Sequence, residues 1–135
     1  MMKVELLKGG IKPTRATEGA AGFDLFAPQD LKLDVGLHKI PLKIKMELPQ
    51  YTFGSIRCRS SLAKRGMSVE AGVIDEDYRG EVQVMLRVRE PYECKRGHAI
   101  AQLIVQRYCV PRIFHGKVNP TRRGAGGFGS TDNKN

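Results

Sequence analysis

Apolar and charged residues alternate strictly through Leu42-Lys43-Ile44-Lys45-Met46-Glu47-Leu48. Successive side chains of an extended chain point to opposite faces, so this period of two places the apolar set in a core and the charged set in water. A half-buried strand is predicted there. Val82, Val84, Leu86 and Val88 alternate with Gln83, Met85, Arg87 and Arg89 in the same manner, Ala99 to Val105 forms a third, more apolar run, and Leu31–Val35 is a shorter candidate. Gly and Pro interrupt the chain between these runs, at Gly9-Gly10, Pro13, Pro28, Pro41, Pro49, Gly66, Gly80, Pro91, Gly97 and Pro111. That spacing suits short strands joined by turns and excludes long helices. An all-β barrel or jelly roll is expected, with one short helix at Ser60–Arg65 that Ser60 or Ser61 caps and Gly66 ends.

The pattern changes at Asn119. Arg122-Arg123-Gly124-Ala125-Gly126-Gly127-Phe128-Gly129-Ser130-Thr131 is Gly-rich and basic, with one Phe as its main apolar residue. Such a segment builds no core of its own and stays mobile until something orders it. The expected division is a barrel over residues 1–118 and an arm over residues 119–135. The 135 residues suffice for one domain.

Met1–Gly10 contains Lys3, Glu5 and Lys8, so no apolar run there reaches the length of a secretion signal. No stretch approaches the ~18 apolar residues needed to span a bilayer. The expectation is an intracellular protein, cytoplasmic or nuclear, with no membrane partner. Cys58, Cys94 and Cys109 form no Cys-x-x-Cys pair, which argues against a disulfide framework or a zinc site and for small buried apolar residues. The net charge of +9 favours anions, but the cations are spread without a block or an interleaved aromatic series. Charge therefore leaves a nucleotide, a nucleic acid and simple solubility all open.

Three segments carry candidate chemistry. Arg59-Ser60-Ser61-Leu62-Ala63 sets a guanidinium beside two hydroxyls at a helix start, which suits an oligophosphate and equally fits a capped helix beside a surface Arg. Ala71 to Gly80 holds Asp75, Glu76, Asp77 and Tyr78 between two strand-like runs, placing an acid at a strand end where it can activate water, or forming a solvated acidic hairpin. In the tail, glycines expose backbone N–H groups, Arg123 adds charge, Ser130 and Thr131 add hydroxyls and Phe128 offers a ring face, unless the segment stays disordered. It is no Walker A loop, since no Gly-Lys-Ser/Thr follows. His38, His98 and His115 form no catalytic pattern with a Ser or Cys.

With two further segments, these resemble in order and spacing the motif set of the dUTPase family. The five are Ala21-Gly22-Phe23-Asp24-Leu25, Arg59 to Ala63, Gly72 to Gly80, Gly97-His98-Ala99-Ile100-Ala101-Gln102-Leu103-Ile104, and Arg123 to Thr131. The resemblance implies a homotrimeric, jelly-roll-like distorted β-barrel whose active sites lie at subunit interfaces. It further implies hydrolysis of dUTP to dUMP and pyrophosphate, limiting uracil in DNA, with Mg²⁺ held mainly by the phosphates and water. By position, Asp75 resembles the general base. Arg59, Ser60, Ser61 and Gln102 resemble the phosphate contacts, and Tyr78 the ring that excludes a 2′-hydroxyl. Ala71 and Gly72 resemble the main chain that reads uracil. Phe128 resembles the ring that stacks on the base, and Arg123, Gly129, Ser130 and Thr131 the γ-phosphate grip. Asp24 resembles an acid near the metal's water shell, with no direct protein ligand expected.

Ser61, His98-Ala99 and Asp132 depart from the commonest family pattern, and Asp132 bears on how tightly the arm closes. Two other readings compete. A dCTP deaminase of the same fold needs a Glu on the strand after the third motif, and Val82-Gln83-Val84-Met85-Leu86 contains none. A non-catalytic barrel that binds nucleic acid or protein has no use for a water-activating Asp75.

Overall fold

The computed structural model describes residues 1–129. Eleven strands and one helical turn follow in the order β1 (Lys3–Leu6), β2 (Phe23–Phe26), β3 (Leu31–Leu33), β4 (Gly36–Pro41), β5 (Ile44–Glu47), β6 (Thr52–Arg57), α1 (Ser60–Ala63), β7 (Ser68–Glu70), β8 (Val73–Ile74), β9 (Gln83–Val88), β10 (Tyr92–Cys94) and β11 (Ala99–Arg107). The pairings are antiparallel, in sheets ordered β2-β11-β6-β8, β4-β9-β7, β1-β5 and β3-β10. Backbone bonds stitch the sheets at their corners. Leu42 N donates to Val82 O and Val82 N to Ile44 O, while Ala27 N donates to His98 O and Gly97 N to Ala27 O. The result is the expected distorted, jelly-roll-like barrel around one core.

That core follows the period of two. Leu42, Ile44, Met46 and Leu48 are buried, as are Val82, Val84, Leu86 and Val88, together with Leu25, Ile100 and Leu103. The alternation in burial is longer than strand β5 itself. Lys43 adopts a left-handed φ of 59°, and its carbonyl accepts from Leu7 N, so the ladder starts only at Ile44 although Leu42 already points inward. The run expected over Leu31–Val35 ends at Leu33, because Val35 lies exposed at the turn into β4.

The helix is shorter than expected and is capped differently. Arg59, with extended backbone, is the N-cap and makes no side-chain cap bond, while Ser60 is already the first helical residue. Neither serine caps the helix, since a capping hydroxyl must come from the residue before the first helical one. Gly66 does end it. Its φ of +83° lets Gly66 N donate to Ala63 O and Met67 N to Leu62 O, a Schellman pair closed by buried Leu62 and Met67.

Beyond β11 the chain leaves the barrel. Tyr108 N still donates to Tyr51 O, but residues 109–129 form neither helix nor strand, and among the described residues their hydrogen bonds run only to one another. Cys109 is exposed there, contrary to the expectation of three buried cysteines, and Cys58 and Cys94 are half-buried. Among the described residues, no helix is long and apolar enough to cross a membrane.

Candidate active site

Two successive left-handed residues open the acidic segment. Ala71 has φ 57° and Gly72 φ 95°, which turns the main chain sharply between β7 and β8. Ile56 N donates to Gly72 O at 2.7 Å, and a Cβ on Gly72 would stand 2.6 Å from Ile56 O. Only glycine fits. Gly72→Ala should therefore cost roughly 1–3 kcal/mol from backbone strain alone, with the collision in addition. A lowered urea midpoint at unchanged m-value checks this.

After β8, residues 75–80 form a tight turn in which Tyr78 N donates to Asp75 O and Arg79 Nη1 to Glu76 O. The Tyr78 hydroxyl donates to Glu81 O at 2.9 Å, and a Cβ on Gly80 would collide with that hydroxyl. Gly80 is thus the space into which the ring folds back. Ala71, Gly72, Asp75 and Tyr78 line one cleft of about 320 Å³, shared with Lys39, Glu70, Glu81 and Gln83. Asp75 is exposed at its rim, and among the described residues its carboxylate has no hydrogen bond or ion pair. Glu76 is the acid that is tied down, accepting from Tyr51 N and the Tyr108 hydroxyl.

A second cleft of about 410 Å³ gathers Asp24, Arg59, Ser60, Ser61, Gln102, Gly22 and three neighbouring alanines. Strand register builds it. Gln102 faces Asp24 across β11–β2 and Arg57 across β11–β6, so the start of α1, just beyond Arg57, falls beside both. Gln102 Nε2 donates to Cys58 O at 3.2 Å, and Arg59 lies 3.6 Å from Asp24 while donating to Ala99 O. A Cβ on Gly22 would stand 2.6 Å from Gln102 Oε1, so glycine admits the amide to this corner. Burial pushes the Cys58 thiol up from its ordinary value, which keeps it protonated beside Arg59 and unsuited to nucleophilic attack.

The structure brings the sequence-selected residues together in two groups, not one. The two clefts share no lining residue. Arg123, Phe128 and Gly129 lie on the arm, Phe128 fully exposed, and Ser130 and Thr131 fall outside the described residues. Sequence reasoning overlooked Glu70, Glu81 and Gln83 on the cleft wall. Gln83 was visible as an outward position of an alternating strand, but nothing marked its face as a cleft. Arg87, 2.9 Å from Glu70, holds that carboxyl below its ordinary value through a hydrogen bond.

A model of the dUTPase family matches residues 9–132. The deoxyuridine 5′-triphosphate nucleotidohydrolase of fowl adenovirus A serotype 1 is 42% identical over 133 residues, covering 95% of this chain and 75% of that protein. That of Mus musculus is 42% identical over 134 residues, covering 95% and 82%. Among solved structures, the EIAV dUTPase is similar at a TM-score of 0.76 with 29% identity, covering 90% of this chain and all of that one. The Staphylococcus bacteriophage 80alpha dUTPase with dUPNHPP is similar at a TM-score of 0.89 with 21% identity, covering 96% and 97%. By the span of the family match and the identity to relatives over nearly its whole length, this chain belongs to the dUTPase family.

Proposed function

We propose that this protein hydrolyses dUTP to dUMP and pyrophosphate by attack of water on the α-phosphorus, with Asp75 as general base. The observation that carries this is an exposed carboxylate, unpartnered among the described residues, at the rim of a cleft walled by the Ala71–Gly72 main chain and the Tyr78 ring. A carboxylate that spends no hydrogen bond on the protein is free to accept one from water. The new bond joins water oxygen to the α-phosphorus, the bridge to the β-phosphate breaks with the electron pair leaving on pyrophosphate, and the proton passes to Asp75.

The remaining roles are those that the family resemblance implies, and the chemistry of the residues supports them. Main-chain groups at Ala71 and Gly72 pair with the uracil edge, and the Tyr78 ring, fixed by Glu81 O, packs against deoxyribose. Arg59, Ser60, Ser61 and Gln102 supply one guanidinium, two hydroxyls and an amide for the phosphate chain. The arm, residues 119–135 beyond a barrel of 1–118, closes over the site with Phe128 on the base and Arg123, Gly129, Ser130 and Thr131 at the γ-phosphate.

Among the described residues, no group of three or more His, Cys, Asp or Glu is placed to hold a metal ion. Asp24 lines the same cleft as Arg59, Ser60 and Ser61, a placement that fits a Mg²⁺ that would be held by phosphate oxygens and water with Asp24 near its water shell, because Mg²⁺ keeps several waters and binds through substrate phosphates. When bound, it would neutralise charge on the triphosphate.

Separation of the two clefts supports sites assembled between copies in a homotrimer. The arm agrees with this: Val110, Ile113, Phe114 and Val118 are exposed, and residues 109–129 make no hydrogen bond to their own barrel among the described residues.

Pyrophosphate release from dUTP, dTTP, dCTP and UTP, each with Mg²⁺ and with EDTA, tests the reading. Release is expected from dUTP with Mg²⁺. UTP should be disfavoured by about 100-fold or more, since rejecting an added hydroxyl by shape alone is worth roughly that much. Ammonia from dCTP without pyrophosphate would replace this reading with the deaminase.

A further inference from the structure

We propose that Glu76 is a positioning residue: one of its carboxylate oxygens locks the turn carrying Asp75 to the root of the C-terminal arm through Tyr108. The inference rests on the hydrolase reading and adds to it a residue that sets where the base stands. Glu76 Oε2 accepts from Tyr51 N at 3.0 Å and from the Tyr108 hydroxyl at 3.1 Å. Tyr108 N in turn donates to Tyr51 O at 3.1 Å, which closes a ring of three residues from three separate parts of the chain. The Phe53 ring, 6.2 Å away and tilted by 56°, supports the Tyr108 ring from β6. Among the described residues, Tyr108 is the last one hydrogen-bonded to the barrel.

Asp75 needs such an anchor. Strand β8 before it has only two residues, and its own carboxylate is unpartnered among the described residues. The turn also borders a second, open cavity of about 710 Å³ lined by Phe53, Val73, Asp75, Glu76, Asp77 and Tyr108. The turn is open toward that cavity, and the Glu76 bonds tie it there to Tyr51 and Tyr108. The bond to Glu76 pushes the Tyr108 phenol above its ordinary value, since ionising it would lose a donor to a carboxylate. The same carboxylate oxygen thus joins the base's turn to the arm's root, so loss of the Tyr108 hydroxyl loosens the turn while the bond from Tyr51 N remains.

The test compares Glu76→Ala, Glu76→Gln, Tyr108→Phe and the double variant Glu76→Ala/Tyr108→Phe in the full chain. A base misplaced by an ångström costs up to about 100-fold, so Glu76→Ala should lower kcat by about 10- to 100-fold with KM for dUTP nearly constant. Tyr108→Phe should lower kcat less. Glu76→Gln should restore most of the loss, since its amide oxygen accepts both bonds, and the double variant should be no worse than Glu76→Ala. A lowered melting temperature with unchanged kcat, or a rise in KM at constant kcat, would overturn the proposal. Amide hydrogen exchange gives a readout independent of activity. Residues 74–78 should exchange faster in Tyr108→Phe than in wild type, and unchanged exchange would also overturn it. Inactivity of the wild type on dUTP would sink the hydrolase reading while leaving the exchange result to decide this one.

Discussion

Asp75→Asn is expected to lower kcat for dUTP by about 10²–10⁴-fold, the range typical of a lost general base. The amide keeps the size of the carboxylate and can still touch water, but it cannot take the proton. Because the Asp75 carboxylate makes no hydrogen bond or ion pair among the described residues, the substitution removes no contact that holds the turn. Binding of a non-hydrolysable imido analogue and the melting temperature should therefore stay near wild type. That combination separates a lost proton acceptor from a damaged fold. If activity persisted within about tenfold, the base would have to be sought elsewhere on the same turn, with Asp77 the first candidate.

Two inactive variants should restore one another when mixed. Arg59→Ala removes the guanidinium proposed to hold phosphate from one cleft, and Asp75→Asn removes the proposed base from the other, and these clefts share no lining residue in one protomer. If a complete site takes its base from one copy and its guanidinium from another, random reassembly of equal amounts leaves both intact in about a quarter of sites, by the symmetry of a ring of identical subunits. Activity per site near that level is expected after joint denaturation and refolding, against almost none for either variant alone. No recovery, with light scattering still reporting a trimer, would mean that each chain builds its whole site by itself.

Much of the barrel was legible because burial on one face imposes a period of two, and Leu42 to Leu48 and Val82 to Val88 carry that period without interruption. Strand ends were less legible. The left-handed Lys43 shortens β5 from within a flawless alternation, and α1 begins with Ser60 inside the helix because Arg59 supplies the extended cap residue. Neither event leaves a mark in residue type. Of the site, Asp75, Tyr78, Arg59, Ser60, Ser61 and Gln102 stood out through motif order, whereas Glu76 passed as one more acid in a hairpin. Its partners Tyr51 and Tyr108 lie 25 and 32 residues away, beyond the reach of any local pattern.

The sequence by itself determined the class of fold and, through its ordered motifs, the family, because side-chain alternation and motif spacing are local properties of a chain. Tertiary structure alone decided that Asp75 and Arg59 occupy separate clefts. It also decided that Gly72 and Gly80 are demanded by Ile56 O and the Tyr78 hydroxyl, and that the turn of Asp75 hangs on Tyr108. Each of these depends on antiparallel register and on turns that carry distant segments to one point, and distance in space is not written in distance along the chain.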